Sequence, residues 1–533
     1  MQAETIYQST AIYTVTRGLL SGGVAVSQGR ILAADRMEHL KEWIGAKTEI
    51  IDLKDRFLMP GFIDGHTHLM PYAPKVDLSD ADSIAACVEL VRKFYETHKE
   101  TTFVRAEKWY EANWDGSMPT RYEIDPVLPD VPFLATDLDS HKVWVNSCLL
   151  KQIGITKETV GQFCGGNPDG IQTDANGEPT GLLRDQIAME TIIRYGVPTT
   201  EENVCAALDQ WTQYGVTAVN EMDFYTADCG VFRVLQKLEA EGRLHVRVFA
   251  SLDAEQATDE AIAYGKKCMH SDRLRLNALK AFLDGTGSGL TAYMLEPYLG
   301  TQTRGRPFWS REQLLCFVKR AARHGLAMHT HCCGDAAVRM ALDVYAQAAA
   351  EGVRLNPMFS LEHCDTVAGA DLSRPAALGI SLNMTPDFLA PTKTWKSNPY
   401  LRIYGPQVQN ELWRIQTLLH TGANVSFGTD YTASSMNPMD QLYRAVERKA
   451  NDGNPAGGFL PAEKLTMEQA LFCYTMGSAK SVGMEEKLGS LDAGKYADMI
   501  VLDRNLLREP PSEARKAKVV ATLVEGKRVY GKF

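Results

Sequence analysis

The chain has no long apolar run. None of its 533 residues lie in a stretch of about 20 predominantly apolar residues, the length that a helix needs to span a bilayer. Residues 1–5 have neither the basic nor the apolar segment of a signal peptide. We therefore expect a cytoplasmic protein that does not bind membranes.

Clustered positive charge is also missing. The formal net charge is −10, and Lys and Arg form no continuous stripe. This distribution argues against nucleic-acid binding. The expected partner is a small-molecule substrate, and we expect a homodimer or another homo-oligomer.

The cysteines do not form a disulfide pattern. There are 11, an odd number, and no C-x-x-C occurs. This usage fits a reducing compartment. Cys332, Cys333 and Cys364 stand beside candidate metal ligands, where thiolates can bind zinc, but buried neutral thiols are more common and packing is the favoured interpretation.

Two histidines end a short strand-like segment near the start of the chain. His66 and His68 close residues 59–68, and residues two apart on a strand share a face. With 12 His in 533 positions, an H-x-H arises by chance about 0.3 times, so the pattern alone is weak. The metal-ligand interpretation therefore depends on four further candidates: Lys280, His331, His363 and Asp430.

Strand and helix patterns alternate through the middle of the chain. Ser310 and Gln313 predict a capping box for a helix that runs to His324, stops at Gly325 and leads into a strand over residues 326–331. Such alternation predicts parallel β/α units.

Short strand patterns with Gly-containing turns fill both ends of the chain, which we expect to form one small β domain together. We place this domain at residues 1–57 and 485–533, and a hydrolase barrel at residues 58–484. An insertion over residues 71–210 follows the first barrel strand and is long enough to require its own structure.

Alternation along two strands points Lys280 and Asp430 inward. Lys280 shares a face with Leu276 and Ala278, and Asp430 shares one with Ser426. A surface lysine and a capping aspartate are the alternatives. In a two-metal site, desolvation would free the Lys280 amine to take up CO2, and the resulting carbamate would bridge both ions.

The remaining ligand positions come from two strand ends. His363 closes residues 359–363 and is expected to follow the strand alternation into the site. His329 and His331 share one face of the preceding strand; the terminal His331 is favoured as the ligand, and His329, one layer deeper, is the alternative. Asp64 either orients His66 or is a buried structural residue.

These motifs resemble the amidohydrolase superfamily, and within it the branch that includes N-substituted formamide deformylases (amidohydrolase family 3). The resemblance covers nearly the whole chain. The motifs that carry it are residues 60–68, Lys280 with Asp284-Gly285, His331-x-x-Gly334-Asp335, Glu362-His363, Gly428-Thr429-Asp430 and residues 489–498. One departure is Cys333, where an apolar residue is expected before Gly334.

The resemblance implies an α/β fold: a (β/α)8 TIM-like barrel with a small composite β-sandwich. It also implies His66 and His68 on one metal, and His331 and His363 on another. Carboxylated Lys280 would bridge the two ions, and Asp430 would lie near the first as a ligand and catalytic group. Zinc suits such ligands, and manganese or iron are alternatives.

Substrate-binding residues are expected mainly in the insertion. Residues 139–147 and 178–185 resemble motifs of the same branch and suggest His141, Trp144, Asn146 and Arg184 as substrate-binding residues. His141 is also a candidate catalytic, oxyanion-stabilising residue, with a structural histidine as the alternative. Asp284 is the fifth substrate-binding candidate.

The residues together predict metal-dependent hydrolysis of a non-peptide C–N bond in a small amide or N-substituted formamide. A hydroxide shared by two ions would attack the carbonyl, with Asp430 as general acid and base. A mononuclear deaminase, a lactone or ester hydrolase and, more remotely, a non-catalytic scaffold are the alternatives. Lys280 argues against the deaminase, and the complete ligand set argues against the scaffold.

Overall fold

The computed structural model describes residues 2–138, 142–163, 170–224, 229–392 and 394–533. The chain divides into two compact units. Unit 1 comprises residues 1–70, 204–391 and 398–533, and unit 2 comprises residues 71–203 and 392–397.

A barrel of parallel strands forms the centre of unit 1. Within the described residues it has eight strands, each paired with its neighbours in chain order. They are β1 (Phe62–Thr67), β2 (Val216–Phe224), β3 (Arg247–Asp253), β4 (Leu274–Phe282), β5 (Ala327–Cys332), β6 (Ser360–His363), β7 (Ser381–Met384) and β8 (Asn424–Phe427). This arrangement is a TIM-like α/β barrel.

The last strand meets the first at their C-terminal ends. The Asp430 backbone N–H donates to the His66 carbonyl oxygen at 2.8 Å. Gly428 allows this approach, because a Cβ at that position would lie 2.6 Å from the His66 Cβ. A side chain at residue 428 would therefore push the two strand ends apart.

Helices pack on the outside of the barrel strands. The longer helices of unit 1 are Gly230–Ala240, Asp259–Cys268, Arg311–Arg323, Asp335–Ala350, Ile415–His420, Pro438–Glu447 and Met467–Phe472, and Glu201–Gln213 precedes β2. Shorter helical segments are Arg374–Leu378, Tyr400–Ile403, Pro406–Gln409, Cys473–Gly477, Ser478–Ser481 and Pro511–Ala514. The capping box predicted at Ser310 and Gln313 is confirmed.

Both chain ends contribute to one further sheet. Its strands are Thr5–Tyr13, Leu19–Ser27, Arg30–Asp35, Glu49–Asp52, Phe57–Pro60, Met499–Leu502, Val519–Val524 and Lys527–Gly531. Antiparallel pairing of Met59 with Ile500 joins the two ends, and Leu58 and Val501 belong to a shared apolar core. The sandwich form and the domain boundaries stay predictions.

Unit 2 has a sheet of its own. In the described residues its strands are Val76–Asp77, Val104–Trp109, Phe133–Asp137, Lys142–Val145, Ile171–Thr173 and Pro179–Arg184. Its helices are Ile84–Thr97, Arg121–Ile124, Ser147–Ile153, Val160–Phe163 and Asp185–Tyr195. The long insertion thus carries its own structure, as its length predicts. Across the residues described, no helix combines the length and apolar character needed to cross a membrane.

A buried ion pair ties the terminal sheet to the barrel. The Arg247 side chain at the start of β3 is fully buried. Its Nε lies 2.7 Å from Asp498 Oδ2, and its Nη2 lies 3.0 Å from Glu525 Oε1. Asp498 belongs to the motif at residues 489–498, so at least this part of the motif is structural.

Replacing Asp498 with alanine should lower the free energy of unfolding by about 3 kcal/mol, because a buried guanidinium loses its main counter-charge. The shift can be measured by chemical denaturation. The matched control is Asp52→Ala, which removes the partner of Lys54 in an exposed pair and should leave the midpoint unchanged. An unchanged midpoint for Asp498→Ala would contradict the proposed tie.

Candidate metal centre

His66 and His68 project from the C-terminal end of β1. The rings of His66 and His68 lie 5.8 Å apart. The His66 side chain is buried, whereas His68, just beyond the strand, is partly exposed. The Nε2 atoms of His66 and His68 lie 3.4 Å and 3.0 Å from Asp430 Oδ1.

Glu362 orients the His66 ring. The Nδ1 atom of His66 lies 2.5 Å from Glu362 Oε2, and both side chains are buried. Asp64 does not have this role: its Oδ1 accepts the backbone N–H of His66 at 3.2 Å and that of Thr429 at 3.1 Å. The structural alternative for Asp64 is therefore the correct one. With Nδ1 held by a carboxylate, the Nε2 lone pair of His66 is directed at the site.

Backbone turns bring His363 and Asp430 into the site. Strict alternation would place His363 on the face of Leu361, away from Ser360 and Glu362. A positive φ of 75° at His363 reorients it, and its ring lies 4.7 Å from that of His66. Asp430 lies beyond the end of β8 and also has a positive φ, of 48°. Such φ values in non-glycine residues cluster at functional sites.

Lys280 is buried on β4 between these groups. Its side chain is 1% exposed, and its Nζ has no hydrogen-bond partner among the described residues. The Nζ lies 4.6 Å from the centre of the Phe282 ring. Because burying an amine without a partner is costly, a further bound group at this position would account for its retention.

The two histidines of β5 have different surroundings. The His331 ring lies 4.3 Å from that of His363, and its Nδ1 has no hydrogen-bond partner within the described part of the chain. His329 is level with Lys280 in the strand pairing, and its Nδ1 lies 2.5 Å from Ser360 Oγ. These positions favour His331 as the ligand, although the choice stays a prediction.

Burial keeps the imidazoles neutral. Burial, with a contribution from the charge on Lys280, lowers the pKa of His331 to about 3. Burial also lowers the pKa of His329 to about 4 and holds that of His363 well below its ordinary value. Neutral imidazoles have the lone pair that metal binding requires.

The carboxylate of Asp430 stays ionised. Burial alone would raise its pKa, but the neighbouring imidazoles of His66 and His68 outweigh this effect and hold the pKa well below its ordinary value. Burial similarly lowers the pKa of His66, yet the charges of Glu362 and Asp430 leave it raised overall. Two carboxylates thus compensate the positive charge that the site attracts.

These residues fit a divalent cation. Ligand atoms of His66, His363 and Asp430 lie within 4.8 Å of one another. His66 Nε2, Lys280 Nζ and His331 Nδ1 are buried donor atoms without a hydrogen-bond partner in the residues described. Nitrogen and carboxylate donors suit zinc and similar metals.

Asp284 organises the loop after β4. It is fully buried and accepts backbone N–H groups of Tyr293 at 2.8 Å, Cys333 at 3.0 Å and Gly334 at 2.9 Å. Burial raises its pKa to about 7 despite these hydrogen bonds. The geometry shows a structural role, and its substrate-binding role stays a prediction.

The predicted residues of the insertion lie in unit 2. Trp144 is buried and donates its indole N–H to the Thr120 carbonyl oxygen at 2.8 Å, and Asn146 caps the helix Ser147–Ile153. The Nη2 of Arg184 donates to Gln172 Oε1. Their substrate contacts stay predictions, and His141 lies outside the described residues.

Sequence reasoning did not identify Glu362 as the partner of His66. The sequence does contain a signal for this role of Glu362. Ser360 and Glu362 alternate toward the barrel interior, and Glu362 directly precedes the predicted ligand His363. What was missing is that the interior faces of β6 and β1 come within contact distance, as the His66–Glu362 contact shows, and only the tertiary structure establishes this.

The barrel and the histidine-rich strand ends are those of a metal-dependent hydrolase. The chain belongs to the amidohydrolase family, whose model matches residues 49–530.

Individual relatives agree with this assignment. The chain is 24% identical to an N-substituted formamide deformylase of Arthrobacter pascens, over 96% of this chain and 95% of the relative. It is 27% identical to the protein LONG AFTER FAR-RED 3 of Arabidopsis thaliana, over 99% and 92% of the two chains. An uncharacterized metal-dependent hydrolase from Pyrococcus horikoshii OT3 has a similar fold, with a TM-score of 0.74, 24% identity and coverage of 95% and 99%.

Substituting Glu362 with glutamine should weaken metal binding about tenfold, because His66 loses the charged acceptor that orients it and raises its basicity. Affinity can be measured by competition with a chelator. Glu463→Gln is the matched control, since Glu463 is also largely buried but accepts hydrogen bonds from Thr417 instead. Equal affinities of the two variants would contradict the orienting role of Glu362.

Proposed function

We propose that this protein hydrolyses a non-peptide C–N bond in a small molecule, an amide or an N-substituted formamide. The observation that carries the proposal is the set of buried, unpartnered donor atoms of His66, Lys280 and His331 around an ionised Asp430. The formamide deformylase relative supports this bond type, because its match extends over nearly the whole chain.

The proposed centre holds two divalent ions, zinc or alternatively manganese or iron. His66 and His68 would hold one, and His331 and His363 the other. Lys280, after its amine takes up CO2 and releases a proton, would bridge them as a carbamate. When bound, such ions lower the pKa of water toward about 7 and polarise a carbonyl oxygen.

Asp430 performs the proton transfers in this proposal. Its ionised carboxylate accepts a proton from the attacking water, and its position beside His66 and His68 keeps it ionised beforehand. It then returns the proton to the departing amine nitrogen as the C–N bond breaks. One water is consumed, and one carboxylic acid and one amine are released.

Other residues of the proposal have supporting roles. Glu362 holds the His66 ring, and buried His329 and Ser360 extend the network below it. The substrate-binding roles of Trp144, Asn146, Arg184 and Asp284 and the oxyanion-stabilising role of His141 stay predictions. A homo-oligomeric, cytoplasmic protein remains the expectation.

Two alternative reactions use related machinery. A mononuclear deaminase would need the histidines and Asp430 but not Lys280, so buried Lys280 favours the two-ion centre. A lactone or ester hydrolase would need the same groups, and hydrolysis of matched ester and amide substrates distinguishes the two.

Changing Asp430 to asparagine should reduce kcat about 10²- to 10⁴-fold per bound metal ion, because the amide cannot accept the proton. The assay measures amine release from the N-formyl and N-acetyl derivatives of one amine, alongside metal content. Asp440→Asn is the control: Asp440 pairs with Arg515 on the outer helix Pro438–Glu447 and should retain full turnover. A near-native kcat for Asp430→Asn would refute its role.

Truncating Lys280 to alanine should reduce the bound metal from two ions per chain to one or fewer, because the bridging group is lost. Metal content after dialysis gives the count. Lys495→Ala is the matched buried-lysine control: Lys495 donates to the carbonyl oxygens of Glu485 and Leu488, and its loss should leave two ions. If Lys280→Ala kept two tightly bound ions and normal turnover, the bridging role of Lys280 would be contradicted.

A further inference from the structure

A second group of ligand-type side chains lies on the other side of His331. Ligand atoms of Asp284, His331 and Cys333 lie within 4.8 Å of one another, and all three side chains are buried. This group shares no residue with the group formed by His66, His363 and Asp430.

The Nε2 atom of His331 faces this second group. It lies 3.3 Å from Cys333 Sγ, 3.7 Å from Asp284 Oδ1 and 3.3 Å from the Gly285 carbonyl oxygen. The opposite ring nitrogen, Nδ1, is the atom without a partner among the residues described. The Nε2 atom of the imidazole therefore lies beside Cys333, and its Nδ1 atom is available to bind a metal ion on the other side of the ring.

A further carboxylate adjoins the Cys333 thiol. Asp365 is buried, lies beside the thiol, and interacts electrostatically with Asp284. Its Oδ1 has no hydrogen-bond partner in the described part of the chain. Two buried carboxylates repel each other, and a divalent cation between them would relieve this repulsion.

The donor set indicates which cation would bind. Thiol sulfur, imidazole nitrogen and carboxylate oxygen together suit zinc and its softer congener cadmium, whereas magnesium and calcium prefer oxygen ligands alone.

We propose that Asp284, His331 and Cys333, with Asp365 beside the thiol, bind one thiophilic divalent cation at a second position, on the Nε2 side of His331, which this position shares with the candidate catalytic centre. The Cys333 thiol releases its proton to solvent as the sulfur–metal bond forms, and His331 contributes the lone pair of Nε2. Because a neutral imidazole has one lone pair, a cation here competes with the catalytic centre for His331.

The test is a Cd²⁺ titration of the zinc-loaded, full-length protein. Sulfur-to-cadmium charge-transfer absorption in the ultraviolet reports thiolate binding independently of activity. All variants carry Cys316→Ser, because the Cys316 thiol is exposed. We expect added Cd²⁺ to displace zinc from Cys333 and His331, so that the absorption saturates at the strength of one cadmium–thiolate bond per chain. Cys333→Ser should abolish it, whereas Cys332→Ser, which removes the neighbouring buried thiol near the Thr330 carbonyl, should retain it.

Absorption of equal strength in Cys333→Ser, or none in the parent protein, would overturn the proposal. Should Cys333→Ser fail to fold, anomalous diffraction from Cd²⁺-soaked crystals of the parent protein decides. Cadmium bonded to Cys333 Sγ supports the site, and cadmium found only beside His66, His363 and Asp430 overturns it.

Discussion

The meeting of the last and first barrel strands is the constraint on which the site depends. Two backbone hydrogen bonds, from Asp430 to the carbonyl of His66 and from His68 to the carbonyl of Tyr431, hold the two strand ends together. Gly428 makes this geometrically possible, since any side chain there would collide with His66. The same contact brings the Asp430 carboxylate to His66 and His68, so the geometry that closes the barrel also assembles this part of the site.

Electrostatics then sets the protonation of the assembled groups. Burial favours neutral His331 and His363, while the neighbouring imidazoles of His66 and His68 keep Asp430 charged. The site therefore combines the neutral imidazoles of His331 and His363 with a fixed negative charge, a balance that suits a divalent cation. The unpartnered Lys280 amine fits this environment only if something further binds it.

Strand alternation has a clear limit in this barrel. It correctly predicts a shared face for His66 and His68, because both belong to or directly follow a regular strand. It does not account for His363, where a positive φ reverses the direction of the side chain. Residues at strand ends need not follow the two-residue alternation of side chains in a strand. Barrel enzymes build their active sites from these positions.

The sequence by itself determined the alternating β/α architecture, the capping of the helix Arg311–Arg323 and the identity of the six candidate ligands, because these depend on local periodicity and residue chemistry. Only the tertiary structure decided that Glu362 rather than Asp64 orients His66 and that Asp284 binds backbone N–H groups. It also placed Cys333 beside His331 Nε2. Those contacts join segments far apart in the chain, and their geometry exists only once the barrel has closed.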